Sequence, residues 1–212
     1  EVKEFSQEAS VYVINTCTVT NMADRKSRQM MHRAKKKNPD GIIVAVGCYV
    51  QAAKEQLEED TLIDLVIGNN MKSQVVQIVE QYIQDNRHTE DRDAYVADIA
   101  HSHEYETMHI ETVSEHTRAY IKIQDGCNQF CSYCIIPYAR GRVRSRKMED
   151  SLQEVRNLTA NGYKEIVLTG IHISSYGLDF EHTADEQEDY GPFKNSALID
   201  LIEALSRIEG LE

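Results

Sequence analysis

The sequence predicts an α/β protein built from two parallel-sheet units, and three observations support this prediction. Short apolar segments alternate with amphipathic segments along most of the 212 residues, which is the pattern of strand and helix units whose strands lie parallel. The polar stretch 85–116 interrupts this alternation and separates residues 1–84 from residues 117–212. Hydrophobic residues make up 41% of the chain, which is enough to build a buried core.

The first unit, residues 1–84, is predicted to contain three strands and three helices in alternation. The segment 11–15 is short and rich in β-branched residues, which indicates a buried strand. A helix is predicted at residues 21–37, and the sequence "NPDG" ends it. The remaining elements are a strand at 41–49, a short helix at 52–60, a strand at 62–70 and a helix at 73–85. The last helix is predicted to bury one face, formed by Val75, Val76, Ile78, Val79, Tyr82 and Ile83. This order predicts a doubly wound parallel sheet.

The stretch 85–116 is predicted to be an acidic linker. It carries nine acidic residues, two arginines and five histidines, without a sustained apolar period. Four of its histidines lack helical spacing, so a solvated loop is a better interpretation than a metal site; they are His101, His103, His109 and His116.

The second unit begins near residue 117 and is predicted to contain two strand and helix repeats. Alternating apolar residues predict a strand at 119–126, and a continuous apolar run predicts another at 164–170. Helices are predicted at 149–162, with Leu152, Val155 and Leu158 inward, and at 195–210, with Asn195 or Ser196 as N-cap. Residues 179–192 contain six acidic residues and no basic one, which is typical of a disordered insertion. Two repeats cannot close a barrel, so we expect the chain to be a fragment of a longer protein and inactive alone.

The charge of the chain is acidic overall but uneven. A formal net charge of −12 argues against a nucleic-acid partner. Residues 22–37, however, carry a local charge of +6, and residues 140–147 a local charge of +5. A polyanion can bind to either of these segments, which we call the first and the second basic island. In an extended segment the arginines of the second island share one face, which suits RNA phosphates or a carboxylate cosubstrate; they are Arg140, Arg142, Arg144 and Arg146.

The five cysteines point to metal or redox chemistry. No secretion signal and no apolar stretch of 18 residues occurs, so we expect a cytoplasmic protein without a membrane partner, in which disulfides are rare. Cys127, Cys131 and Cys134 form C-x₃-C-x₂-C directly after a predicted strand. Zinc sites usually need four ligands, from paired C-x₂-C knuckles with a second pair or histidines elsewhere, and the ferredoxin spacing differs. Three thiols that hold a four-iron cluster leave one iron open to a substrate or cosubstrate.

The loop "DGCNQFCSYCIIP", with Tyr133 before its last cysteine, resembles the cluster loop of the radical S-adenosylmethionine (radical SAM) enzymes. The resemblance implies a 4Fe-4S cluster on Cys127, Cys131 and Cys134, with SAM on the open iron and Tyr133 beside the cofactor. It also implies that this unit is the start of a partial TIM-type barrel. Thr169 and Gly170, which end the second strand, are implied to contact the methionine part of SAM. The role of His172 is left open.

Segments around the loop resemble the radical SAM methylthiotransferases. They are "NTCTVTNMADRKSRQ", "GCY", "KIQDGCNQFCSYCIIPYARGRVRSR" and "GYKEIVLTGIHISSYG", and they look most like the bacterial type that acts on threonylcarbamoyladenosine. The resemblance implies an auxiliary 4Fe-4S cluster on Cys17 and Cys48, whose third family ligand would precede Glu1 and is absent from this chain. Both cysteines follow predicted parallel strands, so we expect them at one carboxyl edge of the sheet. Without the resemblance, two ordinary buried cysteines would be the better interpretation.

The resemblance therefore implies insertion of a methylthio group at C2 of N6-threonylcarbamoyladenosine at tRNA position 37. The implied partners are tRNA, an electron donor and an unidentified sulfur donor. Two alternatives stay open. One is an iron–sulfur electron-transfer or metal-binding protein, and the other is a methylthiotransferase for dimethylallyladenosine tRNA or a ribosomal protein.

Overall fold

The described part of the chain forms two compact units. A computed structural model describes residues 1–58, 60–85, 93–102, 104–106, 118–180 and 196–212. Unit 1 comprises Glu1–Ser102 and Phe130–Gly141, and unit 2 comprises His103–Gln129 and Arg142–Glu212. Each unit contains a sheet with parallel strands, so the predicted α/β class is confirmed.

Unit 1 is built on a four-stranded parallel sheet whose strands follow one another in chain order. These strands are β1 (Val11–Thr16), β2 (Ile42–Gly47), β3 (Leu65–Ile67) and β4 (Asp93–Tyr95). Every residue of β2 is buried, because parallel strands are covered on both faces and become continuously apolar.

Helices cover both faces of this sheet, as a doubly wound fold requires. They are α1 (Asn21–Lys37), α2 (Cys48–Ala52), α3 (Lys54–Glu58) and α4 (Val75–Gln84), and α5 (Ile136–Ala139) also belongs to this unit. Met31 of α1 packs on one face with Ile43 and Ala45 of β2. Ile78 of α4 packs on the opposite face with the alternate β2 residues, including Val44.

Helix α1 matches its predicted bounds, and its ends explain why. The Thr20 hydroxyl accepts a hydrogen bond from the Ala23 amide at the N-terminus. Lys35, Lys36 and Lys37 occupy the last turn, where positive charge is favourable next to the carbonyl end of the helix dipole. These three lysines of the first basic island therefore stabilise their own helix.

The prediction of one buried face on α4 is wrong for two residues. Ile78, Val79 and Tyr82 are buried, whereas the side chains of Val76 and Ile83 are 68% and 45% exposed. At about 100° per residue, these two lie about 90–115° around the helix from the centre of the buried stripe. An apolar residue there flanks the buried face without belonging to it.

Other differences concern element bounds in unit 1. The linker prediction is wrong for residues 93–95, because β4 pairs with β3 in parallel register. The strand predicted at 62–70 is shortened to β3, and residue 48, predicted to continue a strand, begins α2. His103, His109 and His116 lie outside the described residues, while His101 Nδ1 is 2.7 Å from an Asp98 carboxylate oxygen on the surface.

Unit 2 has a three-stranded sheet in the order β6 (Arg144–Ser145), β5 (Arg118–Asp125), β7 (Glu165–Gly170). Strands β5 and β7 are parallel and are joined through α6 (Met148–Ala160), whereas β6 pairs antiparallel with β5. Helix α6 buries Val155 and Leu158 against β5 and half-buries Leu152, and α7 (Ala197–Ser206) follows with Ser196 as N-cap.

The first two residues of the insertion predicted at 179–192 are packed within unit 2, so the prediction is wrong for them. The Asp179 carboxylate accepts hydrogen bonds from the amide and the hydroxyl of Ser145 in β6, at 2.8 and 2.5 Å. Phe180 packs edge-on against Tyr176, with ring centroids 5.5 Å apart. Residues 181–192 lie outside the described part of the chain.

None of the helices in the described part of the chain has the length and apolar character of a membrane span.

Candidate metal centre

Cys17 and Cys48 occupy equivalent positions on two neighbouring strands of unit 1. The register pairs Thr16, the last residue of β1, with Gly47, the last residue of β2. Each cysteine directly follows the last residue of its strand, so both lie at the same carboxyl edge of the sheet. Cys17 is exposed and Cys48 is buried, and both are free thiols. The expected meeting of the two positions at one edge agrees with the structure.

Gly47 permits the turn that places Cys48 at the start of α2. Its φ of 106° belongs to the region that favours glycine. A Cβ at this position would stand 2.7 Å from the Thr16 carbonyl oxygen and 2.8 Å from Asn15 Oδ1. The close approach of the two strand ends beside the cysteines therefore depends on the absence of a side chain.

We expect Gly47→Ala to lower the free energy of unfolding by about 1–3 kcal/mol, the usual cost of a residue held in a sparsely populated backbone region. The substitution also adds a contact that Thr16 must relieve. Urea denaturation followed by circular dichroism measures the change. Gly162→Ala is the matched control, because its φ is 93° but nothing lies within 4 Å of the added Cβ. Equal losses for both variants would show that crowding at Gly47 has no energetic effect.

Two donors face the sulfur of Cys48 within unit 1. Arg140, which follows α5, places its Nε 2.9 Å from Cys48 Sγ, and Asn69 places its Nδ2 at 3.6 Å. Helix α5 packs against α2, which brings Arg140 to the sheet edge. Sequence reasoning missed Asn69. Its signal was the polar pair that follows β3 in "LVIGNN", at the same carboxyl edge as the cysteines.

The entry to the cysteine loop is fixed in unit 2 by the end of β5. Gln124 is fully buried, and its amide group donates to the carbonyl oxygens of Asp125 and Gly126 at 2.8 and 2.7 Å. Gly126 has a φ of 73°, which suits glycine and turns the chain out of the strand. Cys127 follows this turn, half-buried, at the carboxyl end of a parallel strand.

Cys131, Tyr133 and Cys134 belong to the segment that is part of unit 1. The Cys134 amide donates to the Cys131 carbonyl oxygen at 2.9 Å, which closes a tight turn between the two thiols. Phe130 has a φ of 47°, unusual for a bulky residue, and its ring meets Tyr138 edge-on. The Tyr133 ring is 91% exposed.

The end of β7 is tied to the end of β5. The Thr169 hydroxyl donates to the Ile121 carbonyl oxygen at 3.2 Å, and the Gln124 side-chain oxygen accepts from the His172 amide at 2.8 Å. A Cβ on Gly170 would stand 3.0 Å from the Gln124 side chain. His172 Nδ1 lies 2.7 Å from the Ser175 hydroxyl. Gln124 therefore connects the loop entry to the strand end predicted to bind the cosubstrate.

The prediction that four arginines share one exposed face is wrong. Arg144 and Arg146 are 1% and 2% exposed, and Arg146 forms a buried ion pair with Glu154 of α6. Arg140 sits at the C-terminal end of α5 and faces Cys48. Of the four, Arg142 has an exposed side chain. The alternation argument assumed a strand open to solvent, whereas β6 is two residues long and buried.

The first basic island also makes many contacts within unit 1. Arg28 Nη1 donates to the Tyr49 hydroxyl at 2.8 Å, and Lys35 Nζ donates to the Gly41 carbonyl oxygen at 3.1 Å. Lys37 Nζ donates to the Ser6 carbonyl oxygen at 2.7 Å. Several of these charges thus hold α1 to its surroundings.

The donor chemistry of the cysteines suits iron. All five are free thiols, and thiolates are the ligands of iron–sulfur clusters. Among the residues that the structure describes, no three His, Cys, Asp or Glu side chains converge as a complete metal-ligand set. The thiol donors, together with the positions of Cys17, Cys48 and Cys127 after strand ends, support the cluster assignments, which stay predictions.

Two family models match separate parts of the chain. Residues 121–208 match the radical SAM superfamily, and residues 1–68 match the family described as "Uncharacterized protein family UPF0004".

Curated relatives match across both parts. The threonylcarbamoyladenosine tRNA methylthiotransferase MtaB of Aquifex aeolicus (strain VF5) is 40% identical over 212 residues, which are 100% of this chain and 47% of that protein. The enzyme of the same name from Bacillus subtilis (strain 168) is 42% identical over 181 residues, 85% of this chain and 39% of that protein. A tRNA-2-methylthio-N(6)-dimethylallyladenosine synthase of Clostridium perfringens (strain 13 / Type A) is 34% identical over 193 residues, 87% of this chain and 41% of that protein. The chain spans less than half the length of these relatives.

A solved structure shares the fold. The radical SAM methyltransferase TsrM from Kitasatospora setae, with cobalamin and a 4Fe-4S cluster bound, superposes with a TM-score of 0.54 at 15% identity, covering 82% of this chain and 40% of that one. The superfamily match and this fold define a radical SAM protein. With the match over residues 1–68 and the relatives at up to 42% identity, the chain is similar along both parts to radical SAM methylthiotransferases.

Proposed function

We propose that this protein is part of a tRNA methylthiotransferase that replaces the C2 hydrogen of N6-threonylcarbamoyladenosine at tRNA position 37 by a methylthio group. The observation that carries the proposal is the 40% identity to the Aquifex aeolicus MtaB over the whole chain. Three dimethylallyladenosine synthases are 33–36% identical to this chain. The first two MtaB relatives therefore favour threonylcarbamoyladenosine as the base that is modified.

Cys127, Cys131 and Cys134 are the proposed ligands of a 4Fe-4S cluster that binds SAM. Such a cluster, when bound, supplies the electron that cleaves SAM to methionine and a 5′-deoxyadenosyl radical. The protein supplies position and exclusion of water. Gln124 holds the loop entry through its bonds to Asp125 and Gly126, and Thr169 and Gly170 present the strand end to the methionine part. Tyr133 extends from the same loop as a proposed cofactor contact.

Cys17 and Cys48 are the proposed ligands of the auxiliary 4Fe-4S cluster. Their support is the shared sheet edge set by the β1 and β2 register and the donors that face Cys48. Arg142, with its exposed side chain, is the arginine of the second island proposed to contact tRNA phosphates. The proposed partners are tRNA and an electron donor, and a tRNA substrate supports a cytoplasmic location.

The proposal is tested by mass spectrometry of tRNA nucleosides from cells that lack the full-length gene. We expect loss of the methylthio form of threonylcarbamoyladenosine with retention of its unmodified precursor. Methylthio-dimethylallyladenosine should stay at the level of the parent strain.

Complementation with the full-length gene is the control for this deletion. It should restore the missing nucleoside. Loss of the dimethylallyl nucleoside instead would reassign the substrate. No change in either nucleoside would contradict a role in tRNA methylthiolation.

A further inference from the structure

We propose that Arg140 and Asn69 are positioning residues for the sulfur of Cys48, and that they set the redox behaviour of the auxiliary cluster. The proposal deepens the proposed function and rests on its assignment of Cys48 as a cluster ligand. It also moves Arg140 from the RNA-binding candidates to the support of the metal centre.

Arg140 directs its charge at the sulfur. The Nε of Arg140 is 2.9 Å from Cys48 Sγ, close enough for a charge-assisted hydrogen bond to a thiolate. Cys48 is 5% exposed, and a buried negative charge is costly unless a partner compensates it. Arg140 supplies such a partner.

Asn69 fixes the end of α5, from which Arg140 extends. Its Nδ2 donates to the Ala139 carbonyl oxygen at 2.6 Å and lies 3.6 Å from Cys48 Sγ. Its own amide donates to the side-chain oxygen of Gln51 at 3.1 Å, and the Gln51 amide group donates to the Ala97 carbonyl oxygen at 2.9 Å. These bonds run along the carboxyl edge from α2 past β3 to the end of β4.

The side chain of Asn69 is too well enclosed for a surface role. The residue is 3% exposed, and its Oδ1 is buried without a hydrogen-bond partner among the described residues. A buried amide that is only partly satisfied carries a free-energy cost. The position of the Nδ2 beside the Cys48 sulfur and the Ala139 carbonyl oxygen gives a reason why this cost is tolerated.

The consequence is electronic as well as structural. Hydrogen bonds to the sulfurs and net charge near a cluster set its reduction potential. Arg140 and Asn69 donate toward the same ligand, and one of them is cationic. Both therefore favour the more negative, reduced form of the cluster, and removal of either should make the cluster harder to reduce.

The test uses the full-length protein with Cys127, Cys131 and Cys134 all replaced by Ala, so that the auxiliary cluster is the remaining one. Redox titration followed by electron paramagnetic resonance compares this parent with Arg140→Ala in the same background. We expect the ratio of reduced to oxidised cluster at a fixed potential to fall about tenfold, which is about 59 mV for a one-electron couple. Asn69→Asp, which replaces the donor by an acceptor of equal size, should shift the ratio in the same direction.

Arg33→Ala is the matched control, because it removes the same charge from an exposed position within the same unit, in the second half of α1. It should leave the titration unchanged. If Arg140→Ala loses its iron, Arg140→Lys replaces it in the comparison and should show a smaller shift of the same sign.

Two results separate the failure of this proposal from that of the proposed function. A parent that binds no iron overturns the auxiliary cluster and this proposal together. A parent that binds iron, with a titration unchanged by Arg140→Ala or Arg140→Lys, overturns the positioning role alone. In that second case a weaker salt dependence of tRNA binding for Arg140→Ala would return Arg140 to the phosphate contacts.

Discussion

Cys127→Ala in the full-length protein is expected to abolish both cleavage of SAM to 5′-deoxyadenosine and formation of the methylthio nucleoside. The loop offers three thiols, so the loss of one leaves a four-iron cluster with two protein ligands. Loss of a residue that only supports a metal ligand costs about 10–100-fold in affinity or activity, and loss of a ligand should exceed this. After anaerobic reconstitution, iron analysis measures cluster binding, and chromatography of the nucleoside products measures the two activities.

Two controls define the meaning of that result. Ser132→Ala changes an exposed residue between two of the cysteines and should leave iron content and SAM cleavage unchanged. Cys48→Ala should retain SAM cleavage and lose the methylthio product, since the auxiliary cluster is proposed to act in the sulfur step. A Cys127→Ala protein that keeps its SAM-dependent spectral change and its cleavage activity would exclude the loop as the SAM site.

Glu154→Gln is expected to lower the free energy of unfolding by about 3–5 kcal/mol, the usual cost when one partner of a buried ion pair is removed. Arg146 and Glu154 are 2% and 4% exposed, so the arginine would stay buried without its compensating charge. Such a loss is a large fraction of the total stability, which is about 5–15 kcal/mol for a typical domain. Because the chain contains no tryptophan, urea denaturation is followed by circular dichroism.

A surface pair and a double variant test the cause of this effect. Glu203→Gln removes a carboxylate from the exposed pair with Arg207, at 3.7 Å on α7, and should change stability by about 0.3–0.5 kcal/mol. Arg146→Met combined with Glu154→Leu removes both charges and should cost less than Glu154→Gln alone. A double variant that is less stable than Glu154→Gln would show that packing, and not the uncompensated charge, causes the loss.

Local patterns in the sequence were sufficient to predict most elements of the fold. The bounds of α1 follow from Thr20 before it and from the "NPDG" that ends it. The stripe on α4 was predicted too wide, since periodicity cannot distinguish a buried residue from one that flanks the buried face. Strand β4 was missed because three residues in a polar stretch carry no periodic signal. Its place is set by pairing with β3, which is distant in sequence.

The candidate site shows the same division between local and distant information. The loop cysteines and the strand-end position of Cys17 and Cys48 were predictable from spacing and resemblance. The burial of Arg144 and Arg146 was not, because it depends on Glu154 of α6 and on the tertiary packing around β6. The contact between Arg140 and Cys48 joins residues that are 92 positions apart, and no local pattern encodes it.

The pairing of Thr16 with Gly47 has a consequence for how this chain tolerates insertions and deletions. The spacing of Cys17 and Cys48 is set by the backbone ladder between β1 and β2, not by the 30 residues that separate the two cysteines in sequence. Adding or removing residues in the turn between α1 and β2 would leave the two sulfurs at the same level. A single residue added within β1 would shift that strand by one position and turn its side chains to the opposite face. Changes in length can therefore accumulate in the connection but not in the strands beside it.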